Sequence, residues 1–70
     1  MMEIKWEEGF TISVRMEGNT AIISANREGL LSLSNHFVAL ARENPGSHIH
    51  LDEHNSLEDN SAELIIERIE

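Results

Sequence analysis

Hydrophobic and polar positions alternate along the first part of the chain. From residue 4 to residue 16 the even positions are mostly apolar and the odd positions mostly polar. A period of two is typical of a β-strand with one buried face, so this stretch predicts one long strand, or two collinear strands kinked at "EEG". The turn residues "EGN" then precede a second β-branched run, "TAIISA" at 20–25. The two runs are therefore predicted to form a hairpin.

The hydrophobic period changes after residue 25. Apolar residues recur at three- and four-residue spacing, which is typical of an amphipathic helix, namely at Leu30, Leu33, Phe37, Leu40 and Ala41. Asn26 is the predicted N-cap, and Pro45 in "ENPG" marks the end of the helix. Gly29 weakens the first turn, which indicates that another element approaches closely there. We expect Trp6 in the core and His36 on the solvent side of the helix.

A period of two returns in "SHIHLD" at 47–52. It predicts a strand with Ile49 and Leu51 on the core face and with His48, His50 and Asp52 on the other face. A polar loop, "EHNSLEDNSA", separates this strand from a last one in "ELIIERIE". In the last strand the residues expected on the core side are Leu64 and Ile66, and those on the far side are Ile65, Glu67 and Ile69.

The predicted order of elements is strand, strand, helix, strand, strand. We therefore expect a single α+β domain over residues 1–70, with ββαββ order and a four-stranded, mostly antiparallel sheet. One helix would pack on one face of this sheet. The opposite face would be half apolar and free, which makes it a candidate surface for a partner or for a homodimer.

Charge is distributed unevenly along the chain. The formal net charge is −8, and residues 43–70 hold eight acidic residues against Arg68 alone. A surface of this sign repels phosphates and anionic membranes, which argues against nucleic-acid and membrane partners and favours basic ones. The chain has no cysteine and no apolar run of about 20 residues, and its start lacks the features of a secretory signal. A cytoplasmic location is expected.

Three histidines and two acids crowd into residues 48–54. His48, His50 and Asp52 would share one strand face and could supply three ligands to a zinc ion. The alternatives are a solvated strand face and a pH-sensing module, because imidazole changes charge near neutral pH. No glycine-rich phosphate loop or nucleophilic triad is present, so we expect no enzyme activity, no catalytic residues and no cofactor.

Three phrases of the sequence occur together, "NREGLLSLSNHFVALA", "GSHIHLDEHNSLED" and "SAELIIERI". Over roughly residues 20–69 they resemble the immunity protein 32 family of bacterial polymorphic toxin systems. The resemblance implies a small α+β protein that binds and neutralises a cognate toxin. Combined with the charge pattern, it predicts contact with a basic toxin surface through His48, His50, Asp52, Glu53, His54, Glu58, Asp59 and Glu63. A metal-binding or pH-sensing module and a homodimeric interaction domain remain the alternatives.

Overall fold

A computed structural model of the protein describes residues 5–70. It contains one helix and four strands, namely β1 (Ile12–Glu17), β2 (Thr20–Ala25), α1 (Arg27–Ala41), β3 (His48–Leu51) and β4 (Leu64–Glu67). The predicted α+β class and order of elements are confirmed. Within this class, the chain forms two separate antiparallel two-stranded sheets, β1 with β2 and β3 with β4.

The first strand begins later than its alternating pattern predicts. Ile4 lies outside the described residues, and β1 starts only at Ile12. A turn at residues 8–9 interrupts the extended chain, with the N–H of Phe10 donating to the carbonyl of Glu7 at 3.3 Å. Gly9 has a φ of 83°, which L side chains rarely adopt, so the break falls at the "EEG" that interrupts the sequence pattern.

The prediction of a single four-stranded sheet is wrong because the free edge of β1 is already occupied. The N–H of Glu58 donates to the carbonyl of Ile12 at 2.9 Å, and that of Ala62 donates to the carbonyl of Val14 at 2.7 Å. The N–H of Val14 donates to the hydroxyl of Ser61 at 3.2 Å. An irregular segment of the β3–β4 connection thus takes the hydrogen bonds that a third strand would need.

The second hairpin has the predicted faces. Ile49 is opposite Ile66 and Leu51 is opposite Leu64 in the register, and both pairs lie on the core side. His48 and His50 point away from the core and are exposed. The side chains on this outer face are those of His48, His50, Ile65 and Glu67.

The core draws on every part of the described chain. Its buried apolar residues are Ile12, Val14, Leu33, Leu40, Ile49, Leu51 and Leu57. Leu57 is only 5% exposed, although it lies in the connection that the sequence predicts to be polar. That connection is therefore part of the folded core, not a solvated linker.

The helix is rotated from the orientation that its apolar stripe predicts. Leu30 and Phe37 are exposed, whereas Ser32 and His36 are buried at 0% and 1% exposure. The predicted solvent position of His36 is therefore wrong. Its Nδ1 lies 2.6 Å from the carbonyl oxygen of Ser32, so this buried ring nitrogen has a hydrogen-bond partner.

The segment before β1 accounts for this rotation. The indole of Trp6 stacks on Phe10 with ring centroids 4.5 Å apart and meets the edge of His36 at 4.2 Å. The N–H of Glu7 donates to the hydroxyl of Ser32 at 2.8 Å. Trp6 is 36% exposed, so it covers the helix from outside instead of anchoring the core as predicted.

Asn26 caps the helix as predicted and also joins it to the chain before β1. Its Oδ1 accepts from the N–H of Gly29 at 2.7 Å and from that of Thr11 at 3.0 Å. Its Nδ2 donates to the carbonyl of Gly9 at 3.0 Å. One side chain therefore satisfies an unpaired donor of the first helical turn and holds residues 9–11 against it.

We expect Asn26→Ala to lower the free energy of unfolding by about 1–2 kcal/mol, since a lost cap costs this much and two further hydrogen bonds disappear. Asn26→Asp is the matched control because it keeps the accepting oxygen and loses only the Nδ2 donor. Urea denaturation should show a larger loss in the free energy of unfolding for Asn26→Ala than for Asn26→Asp. Equal losses in the two variants would contradict a capping role for Oδ1.

Candidate functional site

The connection between β3 and β4, residues 52–63, contains five carboxylates and is termed the acidic loop. In the first turn of this loop, the carbonyl oxygen of Asp52 accepts three hydrogen bonds. The donors are the N–H groups of Asn55, Ser56 and Leu57, at 3.3, 3.1 and 2.9 Å. The Oδ1 of Asp52 accepts from the N–H of His54 at 2.9 Å, while the Oδ1 of Asn55 accepts from the N–H of Asp52 at 3.1 Å. Asn and Asp thus supply the backbone partners that the turn requires.

The second half of the acidic loop is held by one of its own carboxylates and by β1. The Oε2 of Glu53 accepts from the N–H of Asn60 at 2.8 Å. Asn60 has a φ of 68°, in the left-handed region that Asn tolerates better than most residues. Together with the buried Leu57 and the hydrogen bonds to β1, these contacts fix the shape of the loop.

The residues predicted to contact a partner lie on this loop and on the adjoining outer face. Asp52 is half-buried, and the others are exposed, namely His48, His50, Glu53, His54, Glu58, Asp59 and Glu63. Their roles differ within this set. Asp52 and Glu53 use carboxylate oxygens to shape the loop, whereas the side chains of Glu58 and Asp59 form no hydrogen bond within residues 5–70.

The histidine cluster is assembled differently from the predicted one. His50 Nε2 lies 2.8 Å from Glu63 Oε2 and 3.5 Å from Asp52 Oδ2. These three residues, not His48 with His50 and Asp52, place their ligand atoms within 4.8 Å of one another. His48 is instead opposite Glu67 in the hairpin register. Glu63 joins His50 because Leu64 pairs with Leu51, which brings the preceding residue beside Asp52.

The cluster is an open, charged surface, not an enclosed site. The side chains of His50 and Glu63 are 44% and 60% exposed, so their ion pair is solvated and contributes little stability. Two shallow depressions of about 240 and 220 Å³ border α1 instead, and neither is lined by a residue of the cluster. Small-molecule sites are usually concave and mostly apolar, so this surface is better suited to contact with a macromolecule.

An apolar side chain lies in the middle of the charged outer face. Ile65 is 56% exposed and is opposite His50 in the hairpin. Carboxylates flank it along the chain, at Glu63 just before β4 and at Glu67 at the end of β4. An apolar residue surrounded by polar ones resembles the arrangement of protein interfaces, in which an apolar centre is enclosed by a polar rim.

Comparison with known proteins gives one positive finding. A family model described as Immunity protein 32 matches residues 20–69, which include α1, the acidic loop and β2 to β4. A search of curated proteins returned no match, and neither did a search of solved structures. Within residues 5–70, no helix has the length and apolar character needed to span a membrane.

Proposed function

Because the chain belongs to the immunity protein 32 family, we propose that it binds and neutralises a cognate protein toxin in the cytoplasm. Inhibition would occur by occlusion, with no chemical step. The proposed contact surface consists of the acidic loop and the outer face of the β3–β4 hairpin. The partner would be a toxin with a basic surface, and a nuclease suits this charge.

The observation that carries the proposal is the fixed shape of the acidic loop. Glu58 and Asp59 are exposed on a segment whose backbone is bonded to β1 and whose Leu57 is buried in the core. Carboxylates held in this way need little ordering when a partner binds, which reduces the entropic cost of association. Their charge would accelerate the encounter with a basic surface and disfavour acidic partners.

Ile65 would provide the apolar contact that charge alone does not supply. Electrostatic complementarity chiefly raises association rates, whereas buried apolar and aromatic anchors slow dissociation. Ile65 is half-exposed between the carboxylates of Glu63 and Glu67, so a toxin that covered it would also meet both charges. This geometry gives the proposed surface one anchor and a charged rim.

The test is the double charge reversal Glu58→Lys/Asp59→Lys. We expect it to abolish protection of cells that express the cognate toxin and to slow association by at least tenfold, because steering by complementary charge contributes about that much or more. The fold should persist, since both side chains are exposed and form no hydrogen bond within the described part of the chain. Protection assays and binding kinetics with the purified toxin provide the readouts.

Glu8→Lys/Glu17→Lys is the matched control, because it changes the net charge by the same amount at exposed positions outside the acidic loop. We expect this control to retain protection. Glu53 is left intact in both variants, since its carboxylate holds the N–H of Asn60. Unchanged protection by the loop variant, or equal losses in the two variants, would contradict a toxin contact at the acidic loop.

Metal binding is the second candidate function, and it is favoured by one observation. The ligand atoms of His50, Asp52 and Glu63 lie within 4.8 Å of one another. A zinc titration separates it from toxin binding. A rise in melting temperature that Glu63→Gln abolishes and that Glu58→Gln retains would support a metal module, whereas an unchanged melting temperature would exclude zinc.

A further inference from the structure

The helix exposes a second apolar surface, remote from the acidic loop in sequence. Leu30, Leu31, Phe37 and Val38 are 57%, 40%, 49% and 47% exposed. At 100° per residue these four side chains share one side of α1 with Ser34 and Ala41, and Arg27 lies at the start of the same side. We call the part of this side formed by Leu30, Leu31, Ser34, Phe37, Val38 and Ala41 the apolar helix face.

The described residues cover the other sides of the helix but not this one. Leu33 and Leu40 point into the core. Ser32 and Asn35 lie under the chain before β1, since they bond to the N–H of Glu7 and to the carbonyl of Lys5. Small monomeric proteins rarely expose several neighbouring large apolar side chains, so this face points to a partner.

The order of side chains on the apolar helix face is symmetric about Ser34. Leucines lie four and three positions before it, and Phe37 and Val38 lie three and four positions after it. If two copies pack antiparallel about a two-fold axis at Ser34, Leu30 meets Phe37 and Leu31 meets Val38 of the other copy, because each pair lies on one flank of the helix. A two-fold interface requires such self-complementarity, and the small serine at the centre permits close approach.

Charge favours the same arrangement. Glu28 and Arg42 are fourteen residues apart, so they lie within about 40° of each other around the helix axis. In an antiparallel pair, equal flanks of the two helices meet, which brings Glu28 of each copy toward Arg42 of the other. The carboxylate of Glu28 also accepts from the guanidinium of Arg27 in its own chain at 3.2 Å, so it would lie between two cations. The exposed carboxylate of the outer face, Glu67, lies on the side of the β3–β4 hairpin away from the core, so it does not oppose this contact.

We propose that two copies of this chain associate through the apolar helix face, with their helices antiparallel and Ser34 at the two-fold axis. The sequence-based alternative of a homodimer through the uncovered sheet face uses the surface that carries Ile65, with Ile69 beyond the end of β4. The helix carries four such residues on one face. The proposed contact uses no residue of the acidic loop, so the dimer does not depend on the proposed toxin contact.

Sedimentation equilibrium of the full chain provides the first test. We expect a mass twice that of one chain for the wild type. Phe37→Glu should weaken the dimer at least tenfold, because a charge would be buried at the centre of the contact. If circular dichroism shows that Phe37→Glu is partly unfolded, Val38→Glu takes its place and should weaken the dimer to the same extent. Ile65→Glu, at an equally exposed apolar position on the sheet, is the control and should remain dimeric.

Cross-linking provides the second test, because the chain has no native cysteine. Ser34→Cys should form a disulfide-linked dimer rapidly under mild oxidation, since the two positions would face each other across the axis. Asn19→Cys, in the exposed β1–β2 turn, is the control for random collision. Equal cross-linking rates at the two positions would overturn the antiparallel arrangement.

Two further results would overturn a dimer through the apolar helix face. One is a wild-type mass of a single chain at all concentrations. The other is a dimer that Ile65→Glu dissociates and Phe37→Glu leaves intact, which would place the interface on the sheet. A monomer whose toxin binding is lost in Phe37→Glu would assign the apolar helix face to the toxin. Neither of the first two results would affect the charge-reversal test of the acidic loop.

Discussion

Leu57→Ala is expected to lower the free energy of unfolding by about 2–5 kcal/mol, because it would leave a cavity in the core where the side chain is now 5% exposed. A folded chain of 70 residues has a total stability of roughly 4–10 kcal/mol, so this change would remove about half of it. Leu57 is also the only buried residue within the acidic loop. Its loss should therefore release the loop from the core.

Urea denaturation and native-state hydrogen exchange together check this prediction. The N–H groups of Glu58 and Ala62, which now donate to β1, should exchange faster in the variant. Ile65→Ala is the control for removal of an exposed apolar side chain, and it should cost far less because Ile65 is 56% exposed. Similar losses in the two variants would mean that Leu57 does not anchor the acidic loop.

Hydrophobic periodicity predicts the elements of this fold well but not how they pair. Alternation at Ile49 and Leu51 identifies both the third strand and its core face, because a strand has only two faces to choose between. The pairing of β1 depends instead on which distant segment reaches its free edge. Here an irregular segment does so through the N–H groups of Glu58 and Ala62, and no local pattern indicates such contacts.

The orientation of the helix could not be read from the sequence for a related reason. Apolar side chains cover more than half of its circumference, so several rotations bury a similar apolar area. The choice among them depends on Trp6, which packs against His36 from thirty residues away and is itself stacked on Phe10. Burial of His36 and Ser32 follows from that tertiary contact.

The candidate site was predictable in its composition and not in its geometry. The charge pattern identifies the acidic residues, but it assigns the same role to Glu53 and Glu58. Only the hydrogen bond from the N–H of Asn60 to Glu53 separates a carboxylate that shapes the loop from those that are free for a partner. The register of β3 with β4 likewise determines that Glu63, and not His48, joins His50.

The second large effect is expected at Gly29, where helix propensity and packing make opposite predictions. Propensity favours alanine over glycine by about 1 kcal/mol inside a helix. A Cβ at this position would lie 2.4 Å from the carbonyl oxygen of Thr11 and 3.0 Å from both Ala25 Cβ and Ile12 Cγ1. The nearest atom belongs to the backbone, so the helix start would have to move away from β1 and β2.

We therefore expect Gly29→Ala to lower the free energy of unfolding by about 1–3 kcal/mol in urea denaturation, as overpacking in a core does. The same displacement would lengthen the hydrogen bond from the N–H of Gly29 to the cap at Asn26. Gly18→Ala is the matched control, since nothing lies within 4 Å of its added Cβ and only the φ of 61° opposes it. Its cost should be about 1 kcal/mol. A gain in stability for Gly29→Ala would show that propensity dominates, and that the close approach of the helix start to β1 does not contribute to the fold.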